Sequence, residues 1–149
     1  MRILDSLGIS YKVHEYEWDE EHLDALHASK NAGLDPERVY KTIVMRNSGK
    51  QVFVFCLPAA EEISLKKARA LTNSKEIDLV KTSELLSLTG YIRGGCSPLG
   101  MRRKYPTFIE EISQLEDTIY VSAGQRGFQL EVAPEDLRRA SDAVFADFT

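Results

Sequence analysis

The segment Tyr91-Ile-Arg-Gly-Gly-Cys-Ser-Pro-Leu-Gly-Met-Arg-Arg-Lys104 is punctuated by three glycines and a proline and holds no acidic side chain. Glycine lets backbone N–H groups approach a ligand closely and adopt positive φ. Such N–H groups can hold a carbonyl oxygen or a developing oxyanion without a charged side chain. A tight turn between two sheet edges has the same composition, and the spacing is neither a phosphate loop nor a dinucleotide fingerprint. Arg93, Arg102, Arg103 and Lys104 give this segment +4 in a chain of net −4, which leaves −8 for the rest. A cationic rim beside a backbone-lined pocket would suit a phosphodiester chain; equally, basic side chains can simply keep a sheet edge soluble.

Lys41 stands between Val39-Tyr40 and Thr42-Ile-Val, at the mouth of a strand. A lysine there is either exposed or, in a pocket, a ligand for a phosphate or carbonyl oxygen. Cys96 is a conceivable nucleophile, but a Cys–His hydrolase needs a neighbouring base and an orienting third group. His14, His22 and His27 lie far off in sequence and in no motif. The five-residue separation of His22 and His27 does not stack them on one helical face, and no Cys/His cluster has metal spacing. No metal site and no cofactor are expected. Cys56, in the apolar run Val52–Leu57, reads as a small core residue.

These residues must be held by short elements. Ile3, Leu4 and Leu7 predict an opening helix closed by Gly8, and the alternation of Ile9, Tyr11 and Val13 a strand. From Asp19 the pattern turns helical up to Gly33, and Asp35-Pro36 caps a short turn before Val39. Thr42–Met45 and Val52–Leu57 flank Asn47-Ser-Gly-Lys50 as a hairpin. Ser64 caps a helix through Leu71, Glu76–Val80 reads as a strand, and Thr82 begins a helix ending at Gly90. Thr107–Ile109, Ile119–Ser122 and Phe128–Val132 follow as strands, the last two joined as a hairpin. Pro134 starts a helix to Ala140, and Val144–Phe148 closes a sheet. The fold class is α+β: one domain over residues 1–149, with a mixed, barrel-like β-sheet surrounded by short helices.

The chain has 149 residues, 43% hydrophobic and 28% charged, which is the profile of a globular domain with a proper core. Its net charge of −4 argues against coating DNA, RNA or anionic lipid through bulk charge, so any RNA contact is local. Two cysteines and no basic-then-apolar leader point to the cytoplasm, and no apolar run is long enough to span a membrane.

At Val39-Tyr-Lys-Thr-Ile43, Gly94-Gly-Cys-Ser-Pro-Leu-Gly100 and Tyr120-Val-Ser-Ala-Gly-Gln-Arg-Gly127, in that order and spacing, the sequence resembles the YbaK family of stand-alone aminoacyl-tRNA deacylases. These are related to the editing domain of bacterial prolyl-tRNA synthetases. The likeness runs nearly end to end. It implies removal of a wrongly attached amino acid, typically cysteine or alanine, from tRNA that should carry proline. It also implies a cytoplasmic enzyme whose partners are the 3′ acceptor end of the tRNA and, in some settings, prolyl-tRNA synthetase.

The resemblance makes Lys41 the principal functional side chain, with Gly95 and Gly100 of the glycine loop as its catalytic companions. It assigns Tyr16, Thr42, Gly94, Ser97, Pro98, Ser122 and Gly124 to substrate binding. Arg93, Arg102, Arg103, Lys104 and Arg126 fall to the RNA. In the family picture a cysteinyl substrate's own thiol attacks the ester, and water attacks other esters, so no poised His or Cys is required. The chain departs from relatives that act on cysteinyl-tRNA at Phe128-Gln129, where they have an acidic residue, and at Glu21–His27, where relatives place an aromatic. A non-catalytic tRNA- or synthetase-binding module of the same fold is the alternative those departures permit.

Overall fold

A computed structural model describes residues 2–149, of Ser29 the backbone only. In chain order the elements are α1 (Arg2–Ser6), β1 (Lys12–Glu15), α2 (Ala25–Ala32), a 3-10 turn (Pro36–Arg38), β2 (Tyr40–Asn47), β3 (Val52–Pro58), α3 (Leu65–Thr72), β4 (Ile77–Leu79) and α4 (Thr82–Thr89). After the glycine segment come β5 (Thr107–Glu110), a 3-10 turn (Glu111–Leu115), β6 (Ile119–Ser122), β7 (Phe128–Val132), α5 (Pro134–Ser141) and β8 (Val144–Ala146). None of the described helices is long and apolar enough to cross a membrane.

The strands form two sheets. One is antiparallel in the order β1-β7-β6, and the other is mixed in the order β4-β2-β3-β5-β8. The β2–β3 and β6–β7 hairpins stand where the turn residues put them, and β3–β5 and β5–β8 pair in parallel. The barrel-like single sheet expected from the sequence is instead two sheets that meet at one isolated bridge, Val39 with Tyr120. Beyond that bridge each strand keeps its own partner, because a shared core of Tyr40, Cys56, Ile109, Val121, Leu130 and Leu137 packs between them and holds them apart. A second core of Met45, Phe53, Phe55, Leu57, Ala68 and Phe148 fills the other face of the larger sheet. β3 is therefore covered on both faces, which is why its sequence is an unbroken apolar run rather than an alternation.

The sheet junction is tied by side chains as well. The Arg38 guanidinium donates to the Thr118 carbonyl (2.9 Å) and to Glu131 Oε2 (3.3 Å), and it lies 4.8 Å from the Tyr120 ring centroid. Glu131 also receives Thr118 Oγ1 (2.6 Å) and pairs with His14 Nε2 (2.8 Å). The Thr118 bond first, then His14 and Arg38, outweigh burial and hold this carboxyl below its ordinary range. This cluster sits at the entrance to β2, just before Lys41.

The Asp19–Gly33 stretch departs from its reading as one helix. Asp19 Oδ1 accepts from the Glu21 N–H (3.0 Å), a local turn that competes with helix formation. The helix begins at Ala25 instead, where the Asp24 carboxylate accepts the His27 N–H (2.9 Å) as its cap.

Candidate active site

β2 carries Tyr40, Lys41, Thr42 and Ile43 past one wall of a cleft of about 200 Å³. The opposite lining comes from Arg93, Gly94 and Cys96 of the glycine segment, from Ser122 of β6 and Gln129 of β7, and from Tyr16 and the Leu23–Ala28 stretch. The sequence candidates Tyr16, Lys41, Thr42, Arg93, Gly94 and Ser122 thus come together. Lys41 has no carboxylate within 4 Å among the described residues. Two buried polar atoms in this lining, Thr42 Oγ1 and Gln129 Oε1, lack a hydrogen-bond partner among the described residues; the third such atom, Ser113 Oγ, lies outside the cleft. Unmet buried groups cost about 1–3 kcal/mol each, which a ligand that completes them can relieve.

The remaining glycine-loop candidates lie elsewhere. A Cβ on Gly95 would meet Arg126 N at 3.2 Å, so Gly95 is the point where the loop rests on the β6–β7 turn. Its N–H donates to the Ile92 carbonyl (3.0 Å) and is not offered to the cleft. Gly94 and Cys96 line the cleft, and their N–H groups make no hydrogen bond among the described residues. Ser97 is fully buried, its Oγ accepting the Leu99 N–H (3.2 Å), so it shapes the turn and does not reach the cleft.

Gly100 and Gly124 both adopt positive φ (+68° and +99°) with Tyr91 against them, and a Cβ on either would lie 3.1 Å from that side chain. Tyr91 Oη in turn donates to the Leu99 carbonyl. Pro98, Gly100, Arg103 and Lys104 line a second cleft of about 240 Å³ on the other side of the loop, against Ala140, Ser141 and Asp142. Lys104 is ion-paired there with Asp142. Arg102 packs beside Gly90. Of the basic residues, Arg93 lines the first cleft, and Arg126 joins it by donating Nε to the Arg93 carbonyl (2.8 Å) while lying 5.2 Å from the Trp18 ring centroid.

The Cys96 thiol is pushed up to about 12 by burial, which leaves almost no thiolate at neutral pH. Cys56 is completely buried in β3 and is likewise raised to about 12. Burial also raises the Tyr40 phenol. The His22 and His27 rings do come together, with centroids 4.5 Å apart and planes tilted by 33°, because His22 lies in the turn before α2 where helical spacing does not apply. Each ring is held by an aspartate three residues earlier: His22 by Asp19 (3.0 Å) and His27 by Asp24 (2.6 Å).

Asp24 and Tyr40 are cleft residues that the sequence did not mark as site members, while Cys96, weighed as a nucleophile, and Gln129, noted as a departure from relatives, also line the cleft. For Asp24 the available signal was an Asp three residues before a helical His; for Tyr40 it was adjacency to Lys41.

Residues 19–140 match the family profile of the aminoacyl-tRNA editing domain. Over all 149 residues, and 91% of the relative's length, the chain is 36% identical to a protein of Enterococcus faecalis named "Putative Cys-tRNA(Pro)/Cys-tRNA(Cys) deacylase EbsC". Among solved structures, hypothetical protein APE2540 superposes with a TM-score of 0.88 at 20% identity, covering 99% of this chain and 96% of that one. A crystal structure described as "a putative trans-editing enzyme for prolyl tRNA synthetase" superposes at 0.85 and 21% identity, covering 99% and 92%. At those identities the two structures speak to the fold alone.

Proposed function

The chain belongs to the aminoacyl-tRNA editing domain family, and from that premise we propose that it is a trans-acting deacylase of mischarged tRNA. Its substrate is Cys-tRNA(Pro) or Ala-tRNA(Pro), by the resemblance of its three motifs and by the name of the Enterococcus relative. The observation that carries the mechanism is Lys41, a cation without a carboxylate partner among the described residues, in the wall of a cleft lined by backbone and unpartnered polar atoms.

The aminoacyl ester enters that cleft with its carbonyl oxygen toward the Lys41 ammonium and the N–H groups of Gly94 and Cys96. An ester is already activated, so holding its carbonyl and stabilising the oxyanion supply much of the acceleration. Water adds to the carbonyl carbon and the ester C–O bond breaks. The terminal ribose hydroxyl leaves with a proton, releasing the free amino acid and uncharged tRNA. A cysteinyl ester can instead be attacked by its own thiol: the new C–S bond replaces the ester C–O bond, the thiol proton passes to the leaving ribose oxygen, and water then opens the cyclic thioester to free cysteine. Burial disfavours the Cys96 thiolate, and the attack on the ester is assigned to water or the substrate rather than to Cys96.

Arg93 and Arg126 flank the cleft for the acceptor end, with Arg102, Arg103 and Lys104 further along the same segment. Prolyl-tRNA synthetase is a candidate partner, and the cytoplasm, where the free Cys56 and Cys96 remain reduced, is the assigned compartment. A panel of mischarged tRNAs tests the reading: at least one is hydrolysed, and Lys41→Ala abolishes most of that turnover. Undiminished turnover in Lys41→Ala would remove the lysine's role. Intact aminoacyl-tRNAs that nevertheless bind the protein would favour a non-catalytic module.

A further inference from the structure

We propose that the cleft recognises the free α-ammonium group of the aminoacyl ester through Asp24, with Gln129 Oε1 as a second acceptor, so that N-acylated and peptidyl esters are excluded. This rests on the deacylase reading and extends it to which esters are admitted. Among the charged residues lining the cleft, Lys41 and Arg93 are cationic and Asp24 alone is anionic. An aminoacyl-tRNA end carries charge of both signs: phosphate and a developing oxyanion, which suit the two cations, and the α-ammonium, which suits a carboxylate.

At about 200 Å³ the cleft is smaller than the roughly 300 Å³ at which small-molecule sites usually begin. It therefore takes the aminoacyl group and leaves the nucleoside at its mouth. The amine of a seated amino acid then lies within the same small volume as Asp24.

The carboxylate is equipped for this. Asp24 Oδ1 accepts the His27 N–H (2.9 Å) and Oδ2 the His27 ring Nδ1 (2.6 Å), which fixes the group's orientation. A carboxylate offers about four acceptor sites, so two remain. Burial pushes the Asp24 carboxyl up, but the bonds from His27 outweigh it and leave the group below its ordinary value, ionised at neutral pH. Gln129, only 3% exposed, brings an Oε1 with no partner, and an ammonium has three hydrogens to share. An N-acyl group removes the charge and leaves at most one N–H.

The test compares alanyl- and cysteinyl-tRNA(Pro) with their N-acetylated forms, each enzymatic rate divided by that ester's spontaneous hydrolysis to remove intrinsic reactivity. Wild type is expected to favour the free amine by roughly tenfold or more in kcat/KM, the scale of a charge-assisted hydrogen bond. N-acetyl-cysteinyl-tRNA keeps its thiol, so a loss there reports recognition rather than thiol chemistry. Asp24→Asn removes the charge while retaining a good helix cap, and Gln129→Met removes the acceptor at similar size; each should bring the ratio toward one. Should Asp24→Asn not fold, Asp24→Ser also caps the helix and serves in its place.

Equal rates on free and N-acetylated esters, or a preference unchanged in both variants, would overturn the ammonium site while leaving the deacylase reading intact. Absence of turnover on every free aminoacyl-tRNA would overturn both.

Discussion

The glycine segment walls two clefts of similar size, about 200 Å³ on the Lys41 side and about 240 Å³ on the Asp142 side, and they differ in how far their polar groups are satisfied. On the Asp142 side Lys104 has its ion pair, Ser141 Oγ donates to the Leu137 carbonyl (2.7 Å) and Thr107 Oγ1 to the Tyr105 carbonyl (2.9 Å). On the Lys41 side, among the described residues, the lysine lacks a carboxylate partner and Thr42 Oγ1 and Gln129 Oε1 lack a hydrogen-bond partner. Volume does not separate a site from a surface fold here; unmet bonding of buried atoms does, since Arg103 on the Asp142 side also lacks an ion pair among the described residues but is exposed to water. A cleft whose buried groups are satisfied has little left to offer a ligand, whereas one left wanting is stabilised by whatever completes it.

The sharpest way to break this contrast is a matched pair of lysine variants. Lys41→Ala should lower kcat on the best mischarged tRNA by about 100-fold or more, as for loss of an oxyanion donor, while Lys104→Ala should leave kcat at saturating tRNA within about twofold, its effect confined to tRNA binding. Equal losses would erase the distinction.

Next in size, charge reversal of Arg102 and Arg103 should weaken tRNA binding several-fold at low salt and leave turnover of a small aminoacyl ester unchanged. Filter binding and ester assays on one preparation separate the two, and parallel losses would place these arginines at the chemistry instead.

Gly100→Ala forces an L side chain into φ +68° against Tyr91 and should destabilise the fold by about 1–2 kcal/mol. Gly49→Ala, at a glycine without positive φ, should be nearly neutral in the same melting experiment.

The smallest effect belongs to Cys96. Cys96→Ser should change kcat/KM less than about threefold, and alkylation of Cys96 should stay slow at neutral pH, climb steadily with pH and level off only near pH 12.

Much of this was legible from the sequence where local chemistry decides it. Ser64 accepts the Lys67 N–H as the cap of α3, Asp35 caps the turn at Pro36, and Gly8, Gly33 and Gly90 take the left-handed conformation that ends a helix. Lys41, Thr42 and Gly94 share a cleft, as the motif resemblance implied. What local patterns did not disclose was set by contacts between distant segments. The acidic run from Asp19 does signal a helix start, but two aspartates compete as caps, and the winner is visible only in the hydrogen bonds.

Gly95 and Gly100 look alike in sequence to Gly94. Yet one rests on the β6–β7 turn and the other on Tyr91, so neither faces the Lys41 cleft. Two sheets rather than a barrel likewise follow from how the Tyr40–Leu130 core fills the gap between them, and strand periodicity carries no trace of that.

Tyr91 touches both Gly100 and Gly124 and bonds to Leu99, so one ring fills the space that two separate stretches of chain leave for it. Its consequence is historical as much as mechanical. A change to a side-chain-bearing residue at either glycine would demand a smaller residue at 91, and a smaller residue at 91 would leave a void under both glycines. The three positions can therefore drift only together, and in a set of diverged copies of this gene they should be inherited as one character.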